Sequence, residues 1–253
     1  SMHDLAGSTV IHSTGGWALL AAIIIIGARK GRYTKEGAVR VIPASNIPLV
    51  TLGAFLLWIG WFGFNGGSVG TMATKEDADL VALTIMNTNT AGLSGAIVVA
   101  IIMQIVYKKL DLTMILNGAL GGLVAVTAGP DLYDIYTPIL IGAVGGILVV
   151  LGVSFFDKIR VDDPVGALSV HLLNGIWGTV AVGIFASNGD DITMLGQLKG
   201  VLLIGVFAFI SSYIVLYIIN KIIPLRAQND EELQGLDVEE CGIEAYPEFK
   251  RAF

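Results

Sequence analysis

Two histidines stand inside apolar runs of this chain, in "VIHSTGGW" and in "VHLLNGIWG". Each is followed four residues later by glycine, and then closely by tryptophan. Imidazole is the side chain whose charge changes near neutral pH, so its place among apolar residues raises the question of what it does there. Desolvation disfavours the imidazolium, and a second imidazole alongside would repel a second positive charge. A pair formed by His12 and His171 is therefore expected to be neutral at pH 7. Each neutral ring has one donor and one acceptor, so two rings can bond to each other and still address a small polar molecule, or relay a proton. A metal site competes for the same residues but fails for want of ligands. The apolar runs hold no cysteine and no central Asp or Glu to complete a tetrahedral or octahedral shell, Asp4 lying nearest, at the start of the first run. No metal and no cofactor is expected.

A second cluster, "WIGWFGFNGGS", places Trp61, Phe62 and Phe64 beside Asn65 and Ser68. Aromatic faces attract a small cation, and a hydroxyl accepts a hydrogen bond from it. The competing reading is an interfacial aromatic belt, which for the tryptophan alone is the better one. For Phe64 and Ser68 both readings stand.

Composition limits what can hold these residues. Of 253 residues, 54% are hydrophobic and only 14% charged, more apolar surface than a soluble domain of this size can bury. The chain reads as an integral protein of the lipid bilayer. Its apolar runs are about twenty residues long, the length of a spanning helix and not of an alternating barrel strand. The net charge of −6, with no basic cluster carrying exposed aromatics, argues against a nucleic-acid partner. The single cysteine, Cys241, excludes an intramolecular disulfide and sits in a polar tail as an inert thiol.

Seven apolar segments can be marked, at about 5–28, 47–71, 80–107, 112–128, 137–156, 164–186 and 197–222. They imply an all-α polytopic fold with a transmembrane region over 1–222 and a tail over 223–253. The connections after the first, third and fifth segments hold most of the loop Lys and Arg, whereas those after the second, fourth and sixth are acidic or neutral. The positive-inside rule then puts the N-terminus outside and the tail in the cytoplasm. "GALGG" at 118–122 and "GAVGG" at 142–146 lie on consecutive helices, where missing side chains let backbones approach; a phosphate loop would follow a strand.

The His-x-x-x-Gly segments lie five helices apart and so run in opposite directions, the pattern of transporters built from inverted repeats. Segments two to six then form one complete five-helix repeat with one helix on each side. The first segment would close a preceding repeat, which predicts about four further helices ahead of Ser1. The imidazoles should meet near the bilayer midplane. Retinal chemistry is excluded because the last segment carries Lys199 and Lys221 only at its ends. An enzyme is not expected, since the membrane region offers neither paired carboxylates nor an activated nucleophile.

These residues resemble the ammonium transporter family known as Amt/Mep/Rh. "DLAGSTVIH" is similar to its segment ending in the first pore histidine, "GWFGFNGGS" to its pore aromatic and serine, "RVDDPVGALSVHLLNGIWG" to its second pore histidine, and "GLDVEECGIEAY" to its cytoplasmic tail motif. At Cys241 the family commonly has histidine. The resemblance implies the later part of an eleven-helix protomer, assembled as a homotrimer in the cell (plasma or inner) membrane. Each protomer would conduct ammonium or ammonia through a narrow apolar pore. It makes His12 and His171 the hydrogen-bonded pair, Phe64 a gating phenylalanine, Ser68 part of the ammonium-recruitment site, and Asp4 the family's structural and functional aspartate. It also suggests a cytosolic PII-type regulatory protein as partner. An ammonium sensor using the same site is the alternative; the tail, ending in "EFKRAF", carries no kinase or cyclase motif and favours the transporter.

Overall fold

Polar side chains are buried in this molecule and apolar ones cover it. Ser8, Thr9, Asn65, Thr84, Asn87, Thr88, Thr127, Asn174, Thr179 and Gln197 are fully enclosed, whereas Ile59, Leu203 and Phe207 are 65%, 69% and 74% exposed. Such an inversion is unfavourable in water and suits hydrocarbon, which solvates an apolar exterior and leaves polar groups to find partners within. The computed structural model describes residues 1–186 and 191–247. The "EFKRAF" end of the tail and part of the acidic connection after the sixth segment lie outside them.

The described residues form helices and no named strand. In chain order they are α1 (Ser8–Ile26), α2 (Ile47–Gly67), α3 (Lys75–Tyr107), α4 (Leu112–Val126), α5 (Thr137–Lys158), α6 (Leu168–Phe185) and α7 (Met194–Ile222). Two short tail helices follow, α8 (Asn229–Gln234) and α9 (Leu236–Cys241). Helix starts are set by local chemistry. Thr74 and Asp77 form a capping box that begins α3 several residues earlier than the apolar pattern does. Asn46, Asp111 and Thr193 cap α2, α4 and α7 with their side-chain oxygens.

Six of these helices are long and apolar enough to cross a membrane. The seventh expected span, α4, is 15 residues long, which reaches only about 22 Å at 1.5 Å per residue. Its length is freed from the bilayer because its second half is enclosed by protein, with Leu123, Val124, Ala125 and Val126 fully buried. Glycines make that enclosure possible, as the "GALGG" and "GAVGG" stretches suggest. A Cβ on Gly118 would meet Val99 Cγ2 of α3 at 2.5 Å, and one on Gly146 would meet the Gly95 carbonyl oxygen at 2.6 Å. Helices α3, α4 and α5 thus pack backbone to backbone, while α1 lies against α6 and α7.

The two ends of the bundle differ in chemistry. At one, Arg29 and Arg32 after α1 reach Asp157 in the last turn of α5 and Asp162 after it, and Arg226 after α7 binds Glu232 of α8. At the other, the segment before α1 meets the loop after α4, where Leu5 N donates to the Ala128 carbonyl, and the start of α7, where His3 N donates to Gln197 Oε1. The basic connections after α1 and α5 therefore share one end.

Candidate functional site

Both histidines stand on the opening turn of a helix, and both turns are built alike. The chain enters α1 through Gly7, whose φ of 107° lies in the left-handed region open to glycine. The Gly7 carbonyl accepts from the N–H of Ile11 and of His12, each at 3.0 Å, so the turn is widened beyond an α-helical one. The Asp4 carboxylate accepts from the backbone N–H of Ser8 (2.7 Å), Thr9 (2.9 Å) and Val10 (2.9 Å), which would otherwise be unpaired at the helix start. In α6 the Asp163 carboxylate accepts from Ala167 (2.9 Å) and Leu168 (2.6 Å), and Gly166 has φ 78°. The wide turn there spans Leu168–Leu173.

The shared pattern is longer than the His-x-x-x-Gly echo. It reads D-x-x-G-x-x-x-x-H-x-x-x-G, from Asp4 to Gly16 and again from Asp163 to Gly175. The terminal glycines have a reciprocal task. A Cβ on Gly16 would sit 2.6 Å from Leu172 Cβ, beside His171, and one on Gly175 would sit 2.7 Å from the Ser13 nitrogen, beside His12. Each glycine admits the other helix's histidine turn.

The imidazoles meet as a result. His12 Nδ1 and His171 Nδ1 are 3.2 Å apart, with ring planes at 16°. A bond between two Nδ1 atoms requires that one ring carry its proton there and the other leave Nδ1 bare. The first ring then has a free acceptor at Nε2 and the second a donor, so the pair faces outward with one of each. His12 Nε2 is buried and has no hydrogen-bond partner.

Trp61 stacks on His12 at 4.9 Å with planes at 12°, and the Phe64 ring lies 5.7 Å from it. The Trp61 indole N–H donates to Thr127 Oγ1 at 2.9 Å, and Trp61 is 6% exposed. It is thus a buried wall of the site and not a belt residue. Phe62, its neighbour in sequence, lines a different cavity with Met72 and Val81. A cavity of about 490 Å³ is bordered by His12, Trp61, Phe64, Leu56 and Ile11, and a second of about 290 Å³ by His12, His171, Gly16 and Leu19.

Of the residues singled out in the sequence, His12, His171 and Phe64 come together, and Asp4 acts through the backbone of α1. Ser68 stands apart, one turn beyond Phe64, with its hydroxyl hydrogen committed to the Phe64 carbonyl at 2.7 Å. Its lone pairs remain free to accept. Asp163, Trp61 and Thr127 complete the site. Among the described residues, no group of three or more His, Cys, Asp or Glu gathers as a metal cage.

Residues 1–246 match the profile of the Ammonium Transporter Family. The chain belongs to that family. It is 39% identical over 242 residues to a putative ammonium transporter of Synechocystis sp., covering 95% of this chain and 54% of that protein. To ammonium transporter Amt2 of Archaeoglobus fulgidus it is 35% identical, over 97% of this chain and 55% of that one. The chain spans about half the length of the curated relatives it matches. Among solved structures, one named Sensor Amt Protein superposes with a TM-score of 0.89 at 35% identity, over 94% of this chain and 60% of its own. Mep2 of Candida albicans gives 0.82 at 25% identity, over 99% and 59%. Family and helices together make this a multi-pass membrane protein of the ammonium transporter family.

Proposed function

We propose that this chain carries the twin-histidine half of a pore that conducts ammonium or ammonia. The observation that supports this best is the 3.2 Å approach of His12 and His171 on two matching helix openings, with Trp61 and Phe64 against His12. In this reading the aromatic face of Phe64 and the lone pairs of Ser68 attract the cation at the outer mouth. A bare cation in an apolar passage bears a large desolvation cost, and ammonium escapes it by giving a proton to an imidazole nitrogen and crossing as neutral ammonia. The histidine pair hydrogen-bonds the ammonia and hands the proton on. Potassium has no proton to give, which supplies selectivity.

The remaining architecture belongs to the same proposal. The seven helices α1 to α7 cross the cell (plasma or inner) membrane with the N-terminus outside and the tail from 223 inside. Segments α2 to α6 form one inverted repeat, three protomers associate, and a cytosolic PII-type protein docks on the inner face. An ammonium sensor is a second reading, favoured by the likeness to the structure named Sensor Amt Protein. Ammonium-driven and potassium-driven currents in reconstituted protein decide between them. The transporter gives an ammonium current that collapses, or loses its discrimination against potassium, in His12→Ala and His171→Ala, with the double variant no worse than the singles. A chain that binds ammonium without current is the sensor, and wild-type current in either single variant overturns the pore mechanism.

A further inference from the structure

Two consecutive glycines follow the widened turn of α1, and they do different work. Gly16 is buried and admits the opposite histidine turn at Leu172. Gly15 is exposed, and a Cβ built on it would meet nothing within 4 Å. Its backbone is helical, so neither packing nor conformation calls for a glycine there. A glycine inside a helix weakens it relative to alanine, and the space left by the missing side chain is its remaining use. That space belongs to the histidine pair. Gly15 borders the cavity of about 290 Å³ that both imidazoles line, and Ile11 and Leu19, four residues to either side on the same face of α1, border it too. The three make a notch, a gap between two large apolar side chains. Gly53 and Gly60 of α2 also stand in open space, but they border the larger cavity, which His12 lines and His171 does not.

Given the twin-histidine pore proposed above, we infer that Gly15 sets the size of amine that passes the pair, and that its notch admits a methyl group, so that methylammonium is carried as well as ammonium. An amine hydrogen-bonded to His12 or His171 has its nitrogen fixed at an imidazole, and an attached methyl must lie against an apolar wall or be refused. The notch between Ile11 and Leu19 offers such a wall in the same cavity. The step that frees ammonium from its desolvation cost is open to methylammonium as well. One N–H gives its proton to an imidazole nitrogen, the electron pair stays on the amine nitrogen, and neutral methylamine crosses. The methyl that alanine would add at Gly15 and the methyl that distinguishes the two substrates are the same size. They therefore compete for one space, and an apolar site discriminates such a group by about 10- to 200-fold.

The test is current driven by ammonium and by methylammonium in the reconstituted full chain. Wild type should carry both. Gly15→Ala should retain the ammonium current and lower the methylammonium-to-ammonium ratio about tenfold or more. Its unfolding midpoint should be no lower than wild type, because alanine favours the helix. Gly15→Val should reduce both currents. Gly63→Ala is the control: its Cβ is equally unopposed but borders the separate cavity beside Phe62, and it should change neither current. A wild type that carries ammonium but not methylammonium, or an unchanged ratio in Gly15→Ala, overturns the inference, while current lost in His12→Ala and His171→Ala still upholds the pore. An equal fall in the ratio in Gly63→Ala overturns it too, because the effect would not belong to the notch. No ammonium current in the wild type overturns the pore and the role of Gly15 together.

Discussion

Asp4 and Asp163 do the same mechanical work for the two histidines, holding the first N–H groups of a widened turn so that the imidazole eight residues on is fixed. Removing such a cap costs about 1–2 kcal/mol. Asp163→Ala is therefore expected to lower the thermal unfolding midpoint in detergent and to reduce ammonium current, with Asp163→Asn intermediate because an amide oxygen still accepts. A wild-type midpoint in Asp163→Ala would show that the turn holds without it. Trp61→Phe keeps a ring near His12 but removes the donor to Thr127, at a cost of about 1 kcal/mol. Ammonium current should fall in proportion to the loosened stack and protein yield should not; equal losses of both would make Trp61 a packing residue only. The histidine echo was legible because two imidazoles in apolar runs are conspicuous. Asp163 was not, since "RVDDPVG" reads as a charged loop. Trp61 reads in the sequence as a belt residue, because its partner Thr127 is 66 residues away.

At the scale of elements, apolar run length located every main helix, while local caps moved their ends: Thr74 with Asp77 starts α3 at Lys75, and Thr193 starts α7 at Met194. Run length alone does not account for α4, which is 15 residues long and whose "GALGG" stretch is spent on contact with α3 and α5. That contact is exacting. Gly146→Val would press a branched side chain into the Gly95 carbonyl, since even its Cβ would lie 2.6 Å away. Overpacking of this kind costs about 1–3 kcal/mol and forces helices apart. The expected result is a lower unfolding midpoint and a larger loss than Gly53→Val, where a Cβ meets nothing within 4 Å. Equal effects of the two substitutions would deny the close α3–α5 crossing.

Across the whole molecule, the bundle is tied at its basic end by Asp162, which joins the chain after α1 to the chain before α6 and so links the two histidine helices. Its side chain is 2% exposed and accepts from Arg29 N (2.9 Å), Arg29 Nε (2.8 Å) and Arg29 Nη2 (2.8 Å), with Arg32 Nε at 3.5 Å. Burial alone would push this carboxyl up, but the bonds to Arg29 and the charges of Arg29 and Arg32 outweigh it and hold it below its ordinary value of 3.8. A carboxyl depressed in the folded state stabilises it fully above the unfolded value. That stability is lost as pH falls through the folded value, below 3.8, where the protonated acid can no longer pair with Arg29. Asp162→Asn removes the charge and leaves Arg29 with an amide, so the neutral-pH midpoint should fall, by an amount corresponding to about 3 kcal/mol. As pH falls from 3.8 through the lower folded value the gap between the two proteins should narrow, because the wild type then loses the same charge. Unfolding midpoints of both across pH 7 to 3 check this. A constant gap between them at every pH would mean that Asp162 acts by packing and hydrogen bonding alone, and that the basic end is not held together by charge.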